Sequence, residues 1–285
     1  MVDFPKISIV TPSYNQADYL EQTLLSVIGQ DYPNLEYIVM DGGSTDRSVE
    51  IIKKYANHLT YWESAKDEGL YHALQKGFKK TSGEIMGWIN SDDLLHQKSL
   101  FVIADMFSNV TKAQWVQGYP SVFDDLGCIV YSRPHKFSKY TFYLKEYLKD
   151  GQFIQQESTY WRRELWERAG AHISQDYRYA GDFELWMRFF RYEELFVTNA
   201  LIGGFRIKKQ GQLSRDSYSD YLLEANEIIR KEIEILNLTN TLKRLRFYKA
   251  HLSRIDFFRK RLKKYASVEN PRMISYDLAL GRFNG

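Results

Sequence analysis

Along the first hundred residues, short apolar runs alternate with stretches whose apolar positions recur at helical spacing. This is the pattern of strands alternating with helices in a mostly parallel sheet. The runs Ile7-Ser8-Ile9-Val10, Tyr37-Ile38-Val39-Met40 and Ile85-Met86-Gly87-Trp88-Ile89 are expected to be buried strands. Between them, Leu20, Thr23, Leu24, Val27 and Ile28 line one face of a helix. Val49, Ile52, Tyr55 and Ala56 line a second, and Leu70, Ala73, Leu74, Gly77 and Phe78 a third; each face has the spacing that covers a sheet. Asn15, with Asp18 three residues on, and the cluster Ser44-Thr45-Asp46 are the expected helix caps. The pattern predicts a doubly wound α/β unit with helices on both faces of a mostly parallel sheet.

Beyond Trp115-Val116-Gln117-Gly118 the pattern is less regular and rich in aromatics. Strands are expected near 129–132 and 159–162, and Leu165, Trp166 and Ala169 predict a short helix stopped by Gly170. Phe183, Trp186, Met187 and Phe190 mark another helix with Asp182 at its start. Residues 218–236 and 242–266 read as two further helices, separated by a break around 237–240. No run approaches the roughly 20 apolar residues that span a bilayer, and no basic, greasy leader opens the chain, so a cytoplasmic location is expected. The single cysteine, Cys128, offers no thiolate cluster and is expected as a small buried apolar residue.

The net charge of +3 hides an asymmetry. Residues 243–264 hold ten Lys/Arg against one acid, Asp256, a surplus of +9, so the other 263 residues sum to −6. An acidic body with a basic tail is the pattern expected when one end meets an anionic surface.

In an open α/β sheet the ligand crevice lies beyond the carboxyl ends of the strands. Three polar segments follow the predicted strands there: Thr11-Pro12-Ser13-Tyr14-Asn15, Asp41-Gly42-Gly43-Ser44-Thr45-Asp46 and Asn90-Ser91-Asp92-Asp93. Each alone is ordinary turn chemistry, but all three at strand ends predict one carboxylate-rich crevice. The dinucleotide G-x-G-x-x-G, the P-loop, the G-x-S-x-G elbow and H-E-x-x-H are all absent. Dehydrogenase, P-loop kinase, serine hydrolase and zincin classes therefore lose support. A turn at 90–93 lets two acids converge, and paired carboxylate oxygens suit Mn²⁺ or Mg²⁺. The alternative for Asp93 is capping the helix through Leu100, Ala104 and Phe107.

With these residues in view, the chain resembles family 2 glycosyltransferases of the GT-A fold, of the type that builds bacterial surface polysaccharides. Thr11-Pro12-Ser13-Tyr14-Asn15-Gln16, Asp41-Gly42-Gly43-Ser44-Thr45-Asp46, and Ser82-Gly83-Glu84 leading to Asn90-Ser91-Asp92-Asp93 carry the likeness. Tyr179-Ala180-Gly181-Asp182-Phe183-Glu184-Leu185-Trp186 is similar to the segment supplying the family's base, so the resemblance covers about residues 5–215. It implies a catalytic domain at 1–215, with a nucleotide-sugar half at 1–100 and an acceptor half at 101–215, followed by a helical region at 216–285. It further implies a nucleotide-diphosphate sugar donor, a glycan or lipid-linked acceptor, and a Mn²⁺ or Mg²⁺ cofactor. Thr11, Pro12 and Tyr14 are implied beside the nucleotide, Asp41 near base or ribose, Asp92 and Asp93 on the metal and diphosphate, and Asp182 as general base. Inverting transfer needs one such carboxylate to take the proton of the attacking hydroxyl; the alternative for Asp182 is capping its helix.

Three positions depart from the family pattern. Gly42 stands where many relatives carry a second acid, Asn90 replaces the first acid of D-x-D, and Lys208 falls near a frequent histidine ligand. Lys208 or Arg206 is then expected to touch the diphosphate directly, the alternative being a solvated loop. Asp67 is expected either at the donor sugar or as an acidic first turn. Gln156 and Glu157 lie where the acceptor approaches, with Trp161 either stacking on a sugar or filling the core. The processive Q-x-x-R-W is absent downstream of Asp182. In the tail, Leu245, Tyr248, Leu252, Ile255, Leu262 and Ala266 form an apolar stripe flanked by basic residues, with Phe257 and Phe258 nearby. This predicts either a basic amphipathic helix lying peripherally on an anionic membrane or a helix packed on the domain or on another subunit. No nucleic-acid-binding fold is recognised. The alternative to an enzyme is a catalytically silent nucleotide-sugar-binding or scaffold protein recruited through this tail.

Overall fold

The computed structural model describes residues 4–132, 137–151, 153–208, 212–252, 255, 257 and 272–285. The alternating half runs β1 (Ile7–Ser13), α1 (Ala17–Ile28), β2 (Leu35–Asp41), α2 (Ser48–Lys54), β3 (Tyr61–Ser64), α3 (Leu70–Phe78), β4 (Ile85–Trp88), β5 (Leu94–Leu95) and α4 (Ser99–Asn109). The irregular half continues with β6 (Trp115–Gln117), β7 (Ser121–Phe123), β8 (Ile129–Ser132), α5 (Lys139–Tyr143), α6 (Tyr147–Asp150), β9 (Thr159–Arg162), α7 (Arg163–Arg168), α8 (Gly181–Tyr192), β10 (Phe196–Thr198) and β11 (Gly203–Arg206). Last come α9 (Leu213–Asp216), α10 (Tyr218–Ile235), α11 (Thr239–Phe247), β12 (Arg272–Asp277) and β13 (Arg282–Asn284).

Among the described residues, nine strands form one sheet in the order β13-β12-β10-β6-β9-β4-β1-β2-β3. β3, β2, β1 and β4 run parallel, while β9 enters antiparallel between β4 and β6. Alternate side chains of the central strands enter opposite cores, as a sheet covered on both faces requires. Ile9, Tyr37 and Val39 meet Leu20, Leu24, Leu100 and Phe107 on one face. Val10, Ile38 and Met40 meet Leu74, Phe78, Trp161 and Trp186 on the other. Trp161 is fully buried and stands edge-on to Trp88, so it fills the core. A second sheet has the order β5-β11-β7-β8, with β11 antiparallel to β5 and parallel to β7.

Local signals explain some boundaries and miss others. Asn15 does not cap α1: it adopts a left-handed conformation, φ 51°, and its Oδ1 accepts the Thr45 N–H at 2.9 Å. The free N–H groups at the helix start go instead to the next loop. Ala17 donates to Asp46 Oδ2 at 2.9 Å and Gln16 to Ser48 Oγ at 3.1 Å. Asp46 Oδ1 also accepts from Ser48 at the start of α2, so one carboxylate serves two helices. Nor does Asp93 cap α4, whose cap is Lys98 at φ 62°. Cys128 is exposed in the loop between β7 and β8 rather than buried. Ser82-Gly83 has a structural role: Ser82 donates from N and Oγ to buried Glu36, and Gly83 donates to Ser8 Oγ. Burial would raise the Glu36 carboxyl, but hydrogen bonds from Lys6, Ser8 and Ser82 bring it down to about 2.

The segment after residue 215 is helical through Leu252 and then returns as strands. α10 seats Ala225, Ile228 and Ile229 in the core, and α11 seats Leu242 and Leu245 there. β12 pairs parallel with β10, extending the main sheet, and β13 closes a hairpin on it. Residue 215 is therefore no seam in the packing. Of the tail stripe, Phe257 is exposed, while Phe258, Leu262 and Ala266 lie outside the described residues. No helix among the described residues is long and apolar enough to cross a membrane.

Candidate functional site

The parallel strands end at one edge, and the carboxyl end of β2 holds Asp41. Only 3% exposed, its Oδ2 accepts the Gly43 N–H at 3.1 Å, the Ser44 N–H at 2.9 Å and the Ser64 hydroxyl at 2.6 Å. Ser44 Oγ donates to Oδ1 at 2.5 Å. The tight loop uses Gly43 at φ +81°, a conformation other residues adopt with strain. A Cβ on Gly42 would lie 2.9 Å from Asp67 Oδ2. The Asp67 carboxylate thus occupies the space that a side chain at position 42 would need, and brings an acid beside Asp41 from another loop. On β1, the Thr11 hydroxyl is 3.0 Å from the Tyr37 hydroxyl inside the sheet. Pro12 is buried, and Tyr14 stands exposed at the mouth.

After β4, Asp93 N–H donates to the Asn90 carbonyl and closes a turn whose two acids take different partners. Asp92 Oδ2 is 2.6 Å from Lys208 Nζ. Asp93, 1% exposed, accepts the Arg206 N–H at 3.0 Å on Oδ1 and Gln156 Nε2 at 3.2 Å on Oδ2. Burial, then the charges of Asp92 and Glu157, hold the Asp93 carboxyl well above the usual range despite Arg206 and Lys208. The β5–β11 pairing brings both basic residues here: Gly204 opposes Leu94, two residues past Asp92. Arg206 Nε donates to the Asp92 carbonyl at 2.7 Å and Nη2 to Gln22 at 2.9 Å.

These residues do not fit the expected divalent cation. Asp92 Oδ2 is paired with an ammonium, and both Asp93 oxygens accept protein donors. Among the described residues, no three His, Cys, Asp or Glu side chains are grouped to hold a metal. The Asp93 carboxylate instead fastens the turn to β11 and to Gln156.

Asp182 lies in the first turn of α8. Its Oδ1 accepts the Phe183 N–H at 2.8 Å and is 3.2 Å from the Tyr71 hydroxyl, which also reaches the Tyr179 carbonyl at 2.8 Å. Gly181 makes room: a Cβ there would sit 2.8 Å from the Tyr71 ring. Burial raises the Asp182 carboxyl to about 6, against the hydrogen bonds from Phe183 and Tyr71. The loop before it is held from α10, where Glu224 accepts the N–H groups of Arg178, Tyr179 and Ala180 at 2.8–2.9 Å. Glu224 is marked by no motif, and Tyr71 closes the segment Asp67-Glu68-Gly69-Leu70-Tyr71, which points to the donor sugar and says nothing of a bond to Asp182.

Glu157 bridges the two carboxylate sites. It is 1% exposed and its Oε1 has no hydrogen-bond partner. Burial raises its carboxyl to about 8, and the charges of Asp182 and Asp92 both add to that rise. Asp92, Asp93, Glu157 and Asp182 therefore form one electrostatic neighbourhood, with Asp41 and Asp67 beyond β1 at the end of β2. Ser13 Oγ and Asn90 Oδ1, at the ends of β1 and β4, are also buried without partners. Each such group costs about 1–3 kcal/mol unless a ligand or water meets it.

The family model described as Glycosyl transferase family 2 matches residues 8–168, more than half of the chain. The chain belongs to glycosyl transferase family 2. Among family relatives, an uncharacterized glycosyltransferase of Rickettsia typhi is 23% identical over 201 residues, covering 70% of this chain and 63% of that protein. The putative teichuronic acid biosynthesis glycosyltransferase TuaG of Bacillus subtilis is 35% identical over 94 residues, 31% of this chain and 36% of its own length. The chain thus spans less than two thirds of either relative. Among solved structures, Staphylococcus aureus TarS 1-349 in complex with UDP-GlcNAc superposes with a TM-score of 0.63 at 18% identity, covering 80% of this chain and 66% of that one. The mannosyltransferase PcManGT of Pyrobaculum calidifontis, in complex with GDP-Man and Mn²⁺, gives 0.55 at 16% identity over 94% of this chain and 86% of that one. The fold is the GT-A fold of these glycosyltransferases.

Proposed function

We propose that this chain is an inverting glycosyltransferase that moves a sugar from a nucleotide-diphosphate donor to a hydroxyl of a glycan or lipid-linked acceptor in surface-polysaccharide synthesis. The nucleotide lies along the ends of β1 and β2, beside Thr11, Pro12, Tyr14 and Asp41, with Asp67 toward the sugar. The diphosphate lies toward Asp92 and Lys208. The acceptor enters from the side of Gln156 and Glu157. As its oxygen bonds to the anomeric carbon, Asp182 takes the hydroxyl proton, the bond from that carbon to the diphosphate oxygen breaks, and the diphosphate leaves with the electron pair. Asp93 has a framing part in this scheme, and no step runs through a metal.

The observation that carries this reading is Asp182, a carboxylate raised to about 6 and sharing its surroundings with Glu157 and Asp92. A base titrating there is ionised at neutral pH yet basic enough to accept a proton in the transition state. The donors of TarS and PcManGT and the role in TuaG's description support the substrate classes. Asp182→Asn is expected to lower turnover of the nucleotide sugar about 100- to 10,000-fold while donor affinity stays within about threefold. In the wild type, kcat/KM should rise with pH through about 6 and level off above it. Tight donor binding with no turnover by the wild type would favour the catalytically silent alternative.

The basic segment 243–264 supports a place at the cytoplasmic face of the membrane, where a lipid-linked acceptor would be met. The whole chain is expected to float with vesicles containing phosphatidylglycerol at low salt and to be released near 0.5 M salt, at roughly a 4 Å screening length. Absence of binding at low salt would argue for the packed-helix alternative.

A further inference from the structure

The Asp92 turn holds two buried cations and one half-buried carboxylate. Lys208 is 5% exposed and Arg206 1%, and their charged groups sit 5.4 and 5.1 Å from the Tyr19 ring centroid. Lys208 Nζ faces Asp92 Oδ2 at 2.6 Å. Arg206 is fixed by its Nε bond to the Asp92 carbonyl and its Nη2 bond to Gln22, while its Nη1 has no hydrogen-bond partner. Both oxygens of neighbouring Asp93 already accept protein donors, the Arg206 N–H and Gln156 Nε2. Two positive groups thus stand at the Asp92 turn in a poorly solvated place. A divalent cation brought to Asp92 would meet an ammonium already there, and repulsion between them is weakly screened at such burial. A diphosphate meets the opposite situation: an ammonium offers it a compact point charge and a guanidinium offers donors matched to phosphate oxygens.

We propose that Lys208, seated against Asp92 and backed by Arg206, takes the place of the divalent cation, so that the nucleoside diphosphate of the donor binds without metal. The inference rests on the donor-binding reading above and adds to it that the site is cation-independent. Asp92 then orients the lysine, and the departing diphosphate is neutralised by protein side chains alone.

The test is calorimetric titration of the whole chain with UDP, GDP, CDP, ADP and dTDP, in EDTA and in Mn²⁺, together with electron paramagnetic resonance of Mn²⁺ added alone. The diphosphate that binds is expected to keep its Kd within about twofold between EDTA and Mn²⁺, and Mn²⁺ alone should stay in its free aqueous form. Lys208→Ala should weaken metal-free binding about 10- to 100-fold, with Asp92 then free to recruit Mn²⁺ and give a bound resonance. Lys208→Arg should retain metal-free binding, which guards against a misfolded alanine variant. Binding that vanishes in EDTA and returns with Mn²⁺ would overturn the inference and leave the donor reading standing. Unchanged metal-free affinity in a folded Lys208→Ala protein would also overturn it. Failure of all five diphosphates under both conditions would overturn the donor reading and the inference together.

Discussion

Glu157 shows how a single buried side chain ties the site to the stability of the whole. Its carboxyl is raised to about 8 in the folded protein, so at neutral pH the folded chain keeps a proton there that the unfolded chain releases near 4.5, the ordinary glutamate value. The stability associated with that proton is fully present below 4.5 and is lost as pH rises through about 8. Glutamine mimics the neutral form. Glu157→Gln is therefore expected to melt like the wild type at pH 5 and to be the more stable protein at pH 9, by at least about 1.4 kcal/mol, the worth of one pKa unit. Thermal or urea unfolding at the two pH values checks this; equal stabilities at pH 9 would mean that Glu157 ionises freely where it sits.

At the level of secondary elements, α3 places Tyr71 against Asp182 because its other end docks closely on the sheet. The close approach is made at Gly77, where a Cβ would lie 2.5 Å from Val10 Cγ1 and 3.1 Å from Met40 Cγ. Both neighbours are buried core residues. Gly77→Ala adds about 1 kcal/mol of helix propensity but overpacks the core, and the net expectation is destabilisation by about 1–3 kcal/mol. Chemical denaturation measures the loss, and Val10→Ala in the same chain should restore part of it; a simple sum of the two single effects would contradict the packing account. The β5–β11 pair works similarly, since two strands with almost no sequence signature carry Arg206 and Lys208 to the Asp92 turn.

At the level of the whole molecule, the far end of the chain completes the fold. Ile274 and Phe283 are buried in the same core as β1 and α4, and the Phe283 N–H reaches Asp105 Oδ2 at 2.8 Å. Removing residues 272–285 uncovers the edge of β10 and exposes these two side chains, each worth about 1.5–3 kcal/mol when buried. The shortened chain should unfold at markedly lower denaturant and self-associate through the open edge; retention of the full unfolding midpoint would show that the hairpin is dispensable. Ending the chain at residue 215 removes more, because α10 leaves with Glu224, which fastens the loop before Asp182.

How much of this was legible beforehand depends on the range of the forces involved. The strands β1, β2 and β4, their covering helices and the positions of Asp41, Asp92 and Asp182 follow from apolar periodicity and short motifs, because burial and local turn preference act on neighbouring residues. The partners of those acids did not follow. That Asp46 reaches back to the start of α1, that Asp67 fills the space beside Gly42, that Lys208 faces Asp92 and that Asp93 is engaged by Arg206 and Gln156 are contacts between residues 25 to 116 positions apart. Periodicity carries no record of such pairings. They are set when two sheets and the helices pack together, and it is that packing which turns a motif expected to grip a metal into a carboxylate already holding an ammonium.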